Sequence, residues 1–329
     1  MKSGVFFVAA AAVAWGMGGV VASVLYRISG MGPLAVSFWR AGFGVLVLVL
    51  VQLARRRPVG LRALFPRDWV MIVIGLGLAV YQSAYYLSIA EAGVAVGTVA
   101  TLGACPILVA VGARLFLGEP LTGRALLAIG VAIAGLVMIV GGPGEVGPHP
   151  VLGVIWALAS AAGYAVVTLL TRRYADRIGS DDVGKTLASF VVATLCLSPM
   201  AAAEGLLPAS NGLVALGWLI FLGIVPTAMA YTMFFNGLKT VPATTAAMLV
   251  LIEPVSALAV AVAVLGERLG LPAVAGTVML LAAVAAMSVP VRRGSREAVA
   301  VGAAGLDRAA PEPVGAGAPE ASGDPAPAR

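Results

Sequence analysis

Two charged residues, Arg40 and Glu253, lie inside long apolar stretches of this 329-residue chain. An arginine binds anionic groups, and a glutamate binds a cationic group or a proton. A charge at the centre of a membrane helix costs about 2.5–3.5 kcal/mol on insertion scales, so it usually faces a cavity or the interior of the helix bundle. The pair therefore suggests a ligand site. In the alternative, both residues only tie helices together, through backbone carbonyls and through each other.

Further polar and aromatic residues extend this candidate site. Thr245, Leu249, Glu253 and Ser256 lie on one face of a helix, which lines a cavity or packs against another helix. Besides Arg40 and Glu253, the residues predicted for substrate binding or coupling are Trp15, Tyr81, Tyr85, Thr101, Tyr164, Asn236 and Thr245, and a wider cavity set adds Gln82, Tyr86 and Tyr231. Core packing or an aromatic belt at the membrane interface is the open alternative for the aromatic members.

Other chemistries find little support in the sequence. His149 is the only histidine, and neither H-E-x-x-H nor a G-x-x-x-x-G-K-[ST] phosphate loop occurs. We therefore predict no catalytic residue, no metal ligand, no cofactor and no enzyme activity. An intramembrane enzyme and a structural or receptor membrane protein remain the alternative functions.

The elements that carry these residues are membrane helices. The chain is 60% hydrophobic and 11% charged, with a mean hydropathy of +1.02, whereas soluble domains have about a quarter charged residues. About 20 apolar residues cross a bilayer as a helix. Ten such runs occur, at 4–26, 33–53, 69–89, 94–117, 121–141, 151–170, 186–203, 213–236, 243–265 and 272–290.

The Lys and Arg residues predict the orientation of these helices. With ten spans, eighteen of the 21 basic residues fall on one side, Arg27 and Arg268 fall on the other, and Arg40 lies within a helix. Because basic loops stay in the cytoplasm, both termini are predicted to be cytoplasmic, in a multi-pass protein of the plasma (inner) membrane. Membrane lipid is the expected surrounding, nucleic acid is not an expected partner, and a homodimer stays open.

The two halves of the chain share a pattern. Pro106, Gly118 and Glu119 recur 148 residues later as Pro254, Gly266 and Glu267. Each half holds five predicted helices, and an odd number means that the second half enters the membrane from the opposite face. The predicted fold is therefore all-α integral membrane, with ten transmembrane helices in two inverted-topology five-helix repeats.

The sequence resembles the EamA-like drug/metabolite transporters, through Phe38-Trp39-Arg40-Ala41, Leu117-Gly118-Glu119, and Glu253-Pro254 with Leu265-Gly266-Glu267. The resemblance implies secondary transport, commonly export, of small metabolites such as amino acids or drug-like compounds by alternating access, with a proton or counter-substrate as an open coupling partner. The expected parts are one repeat at 1–141, a Gly/Pro-rich linker at 142–150, a second repeat at 151–291 and a disordered cytoplasmic tail at 292–329.

Glu119 and Glu267 form a separate group of candidates. They end the fourth and ninth predicted helices, on opposite sides of the membrane. Interfacial capping or pairing is the simpler interpretation of such positions, and gating is the alternative.

The charge pattern makes a topological prediction. A tag after Arg296 and a single cysteine near Glu145 should be accessible from opposite sides of the membrane. Labelling of intact cells with an impermeant thiol reagent, against labelling of permeabilised cells, measures this. Accessibility of both sites from outside would contradict the ten-helix topology.

Overall fold

The computed structural model describes residues 2–56, 68–92, 94–140, 148–175, 182–265 and 270–288, and these residues form helices without any strand. Seven helices come first: α1 (Lys2–Ser29), α2 (Pro33–Ala54), α3 (Trp69–Ala92), α4 (Val94–Phe116), α5 (Gly123–Val140), α6 (Pro150–Arg173) and α7 (Asp182–Glu204). Helix α8 runs through Gly212–Gly223, a π-helical turn at Ile224–Met229, and Ala230–Leu238. Helix α9 comprises Ala243–Val250 and Ile252–Leu265, joined at Leu251, and α10 is Leu271–Ser288.

Eight of these helices are long and apolar enough to cross a membrane, and all ten lie close to the predicted runs. The other two, α5 and α10, are shorter apolar helices. Large apolar side chains cover the outside of the bundle; Leu127 and Val151 are 70% and 75% exposed. Such a surface suits lipid rather than water. The chain is therefore a multi-pass membrane protein. The predicted tail at 292–329, Glu267, and most of the linker lie outside the described residues.

Glycines set how closely the helices approach one another. A Cβ added at Gly135 in α5 would lie 2.7 Å from the Gly276 carbonyl oxygen of α10, and one at Gly163 in α6 would lie 2.8 Å from the Gly77 carbonyl oxygen of α3. Without water, membrane helices associate through close packing, and small residues permit it. These crossings hold α5 against α10 and α6 against α3.

The π-helical turn in α8 accommodates a proline. Pro226 has no N–H, so the carbonyl of Leu222, four residues earlier, lacks its usual helical donor. The Thr227 hydroxyl donates to this Leu222 carbonyl at 2.8 Å. Unsatisfied backbone groups are costly in a bilayer. Because Thr227 donates to it, the Leu222 carbonyl keeps a hydrogen bond although the helix continues through Pro226.

The α5–α10 crossing generates a stability prediction. Gly135→Ala should destabilise the protein by about 1–3 kcal/mol, because the added methyl group overpacks the contact with the Gly276 backbone. Gly130→Ala, in the same helix, is the matched control, since its Cβ would meet nothing within 4 Å and alanine favours helix. Thermal unfolding in detergent measures both variants. Equal melting temperatures would contradict the proposed role of the crossing.

Candidate functional site

Arg40 and Glu253 line the same cavity. Its volume is about 90 Å³, and it lies among α1, α2, α3, α8 and α9. The lining residues are Trp15, Gly18, Gly19, Ala22, Arg40, Tyr81, Gln82, Tyr85, Tyr86, Tyr231 and Glu253. Because two opposite charges and several aromatic hydroxyls converge on this space, we name it the polar cavity.

The arginine is fixed by a chain of hydrogen bonds. Arg40 Nη2 donates to Gln82 Oε1 at 2.6 Å, and Gln82 Nε2 donates to Ser37 Oγ at 3.3 Å. The Ser37 hydroxyl in turn donates to the Pro33 carbonyl at 2.9 Å. This chain joins α2 to α3 and holds the guanidinium at the wall of the polar cavity.

The two charges do not touch. Among the described residues no ion pair joins Arg40 to Glu253, although both side chains reach the polar cavity. Three buried polar atoms of the lining have no hydrogen-bond partner: Trp15 Nε1, Arg40 Nε and Glu253 Oε2. Buried polar groups normally have partners. Two N–H donors, on Trp15 and Arg40, and one acceptor oxygen, on Glu253, are thus left for a ligand or for water.

Glycines of α1 make room for this cavity. An added Cβ at Gly16 would lie 2.8 Å from the Ala257 amide nitrogen of α9, and one at Gly18 would lie 2.8 Å from Pro226 Cβ of α8. An added Cβ at Gly19 would meet nothing within 4 Å. Successive α-helical residues are turned by about 100°. Helix α1 therefore packs closely against both α8 and α9, and its face at Gly19 borders open space.

An aromatic cluster adjoins the polar cavity, whose lining includes its members Trp15, Tyr81 and Tyr231. The Trp15 ring lies 4.8 Å from the Tyr231 ring and 5.2 Å from the Phe234 ring, and Phe234 lies 6.1 Å from Tyr164. Tyr164 also packs against Tyr81 at 5.6 Å. Phe234 is completely buried within this cluster.

Beyond the aromatic cluster, a cluster of charged groups holds the turn between α8 and α9. Arg172 Nη1 donates to the Leu238 and Lys239 carbonyls at 3.1 and 2.7 Å. Glu119 Oε1 accepts the Ala243 amide, the first of α9, at 3.0 Å and lies 3.7 Å from Arg172 Nε. Glu119 therefore caps a helix N-terminus, where negative charge is favourable. We name this group the Glu119–Arg172 clasp.

Several predicted site residues lie outside the polar cavity. Thr101 and Tyr164 are buried in the core, and the hydroxyls of both lack a partner. Asn236 is half-buried near the end of α8, and Thr245 is half-buried near the start of α9. Conversely, the sequence did not single out Gly18, Gly19 or Arg172. Arg172 belongs to a basic cluster that was interpreted only as a topology signal.

Comparison with known proteins bears on the function of this architecture. The model of the EamA-like transporter family matches residues 2–141 and again residues 151–289. The chain belongs to the EamA-like transporter family. This confirms the resemblance seen in the sequence and points to a transporter rather than an enzyme.

Two relatives and one solved structure are similar to this chain over most of their length. An uncharacterized transporter of Bacillus subtilis, YwfM, is 27% identical over 82% of this chain and 88% of its own length. The uncharacterized inner membrane transporter YicL of Salmonella typhimurium is 26% identical over 90% of this chain and 99% of its own length. A protein crystal structure with 22% identity superimposes with a TM-score of 0.72, covering 87% of this chain and 97% of that one, which shows a shared fold.

The Glu119–Arg172 clasp generates a further prediction. Arg172→Gln should lower the free energy of unfolding by about 1–2 kcal/mol, because hydrogen bonds from a charged donor to the Leu238 and Lys239 carbonyls are lost. Arg173→Gln is the matched control, since Arg173 is exposed. Thermal melting of both purified variants measures the difference. If Arg172→Gln and the control melt at the same temperature, the Glu119–Arg172 clasp does not stabilise the protein.

Proposed function

We propose that this chain is a secondary transporter that moves a small metabolite, such as an amino acid or a drug-like compound, across the plasma membrane by alternating access. The polar cavity is the substrate site in this proposal. The observation that carries it is the separation of Arg40 and Glu253 across one cavity, with buried polar atoms on both left without partners. Export is the direction that we expect from the family resemblance.

The charges determine what such a site would bind. An anionic group would pair with Arg40, which Gln82 already orients, and a cationic group or a proton would bind to Glu253. Burial of an unpaired charge is unfavourable. A ligand that satisfies both groups therefore stabilises the helices around it, and the empty site favours rearrangement.

We also propose that the bundle consists of ten spanning helices in two inverted repeats. The double match of the family model, once to each half, supports this arrangement. Equivalent contacts support it too. Gly4 of α1 packs against Thr240 after α8, and Gly153 of α6 packs against Ala92 of α3. Gly4 and Gly153 are 149 residues apart, and Ala92 and Thr240 are 148 apart.

In this scheme the aromatic cluster and the Glu119–Arg172 clasp close one end of the substrate path. Phe234 and Leu238 are completely buried along α8, and the Leu238 carbonyl binds Arg172. Opening this end requires α8 and α9 to move away from α4 and α6. Glu119 would then act in gating as well as in capping the helix.

Glu253→Gln tests the proposal, because glutamine is nearly isosteric but does not ionise. We expect concentrative transport to be abolished while the protein still inserts and folds. Exchange of substrate across the membrane survives if Glu253 is a proton site and fails if it binds substrate. Uptake and exchange in proteoliposomes against a metabolite panel, with and without a proton gradient, measure both activities.

The matched control is Asp68→Asn. Asp68 accepts the Val70 amide at the start of α3, away from the polar cavity, and asparagine caps a helix equally well. If the folded Glu253→Gln protein transports substrate at the wild-type rate and with the wild-type pH dependence, Glu253 has only a structural role.

A further inference from the structure

A second cavity adjoins the polar cavity. Its volume is about 320 Å³, and it is lined by Gly16, Gly19, Val20, Tyr85, Thr98, Leu102, Ile139, Glu253, Pro254, Ala257 and Leu258. Most of these residues are aliphatic, in contrast to the lining of the polar cavity. We name this space the apolar cavity.

The two cavities meet at three residues. Gly19, Tyr85 and Glu253 line both spaces, so Glu253 lies at the boundary between them. The Tyr85 hydroxyl is hydrogen-bonded to Thr98 Oγ1 at 3.1 Å. This bond satisfies two polar groups of the apolar cavity and leaves Glu253 as its charged member.

We propose that the apolar cavity is the subsite for the apolar part of the substrate, whose cationic group binds to Glu253. The substrate class is therefore a small zwitterion or amine that carries a sizeable apolar group. This inference rests on the proposed function. Its physical basis is that apolar surface leaves water favourably only into an apolar space, and here such a space begins at the residue that would bind the charge.

Gly19 controls the opening between the cavities. It lies at their junction, and an added Cβ would meet no protein atom within 4 Å. A Cβ is therefore accommodated at this position, and a larger side chain would reach into the junction. Gly18, the preceding residue, offers no such freedom, because its Cβ would meet Pro226 at 2.8 Å.

The experiment compares binding of L-alanine and L-phenylalanine, two zwitterions that differ in their apolar group, to the full-length protein in nanodiscs. The wild type should bind phenylalanine at least about tenfold more tightly than alanine, since a hydrophobic pocket discriminates by about 10–200-fold per methylene group. Gly19→Leu should remove this preference by weakening phenylalanine binding, because the leucine side chain reaches into the junction between the cavities. Gly217→Leu is the matched control, because Gly217 is an open glycine outside both cavities.

A second variant fills the apolar cavity from its other end. Ile139 lines only the apolar cavity, so Ile139→Trp should weaken phenylalanine binding and spare alanine binding. A wild type without preference between the probes, or variants that weaken both probes equally, would overturn the subsite. Retention of bound lipid by the wild type and its loss in both variants, without any effect on either probe, would assign the cavity to an acyl chain instead.

These outcomes are separate from those that test the proposed function. If alanine or phenylalanine is transported and Glu253→Gln abolishes its concentration, but the preference is absent, only the subsite fails. If the preference is present but Glu253→Gln leaves transport unchanged, the proposed function of the polar cavity fails.

Discussion

A charge in the interior of a membrane bundle must be surrounded by polar groups of the protein, by water or by a ligand, and the packing around the polar cavity meets this constraint incompletely. Arg40 is held by Gln82, which Ser37 supports in turn. Glu253 has a buried oxygen without a partner. The arrangement of α1, α2, α3, α8 and α9 thus preserves two opposite charges at a distance, where direct contact would neutralise both. A site of this kind gains stability from a ligand that bridges it.

Helix α1 contributes Trp15, Gly18, Gly19 and Ala22 to the lining of the cavity that both charges reach. Its glycines allow α9 to approach at Gly16 and α8 to approach at Gly18. The Gly16 contact is with Ser256 and the α9 backbone, and the Gly18 contact is with Pro226. The π-helical turn around Pro226 lies at the contact between α8 and α1, and there the Thr227 hydroxyl donates to the Leu222 carbonyl. The cavity thus depends on the glycines of α1, which carry no side chain, as much as on the side chains that line it.

This explains which parts of the structure the sequence predicts. Helix positions follow from long apolar runs, because a bilayer leaves the backbone few alternatives to a helix. Arg40 and Glu253 were identifiable because charge is rare in such runs. Their separation was not, since it depends on how five helices pack around one cavity. Arg172 was missed for another reason: its carbonyl partners at Leu238 and Lys239 are backbone atoms, which no sequence pattern reveals.

In the proposed repeats, the two halves differ at the positions of the two buried charges. If they are repeats, as proposed, the position equivalent to Glu253 is Cys105, 148 residues earlier, and the position equivalent to Arg40 is Ser189, 149 residues later. Cys105 is buried in the apolar core, and the Ser189 hydroxyl donates to Met71 Sδ at 3.8 Å. The duplicated scaffold therefore supplies equivalent helix contacts in both halves, but only one pair of positions carries charge. A symmetric movement of the halves would then act on a single asymmetric site, which can present one ligand in one orientation to either side of the membrane.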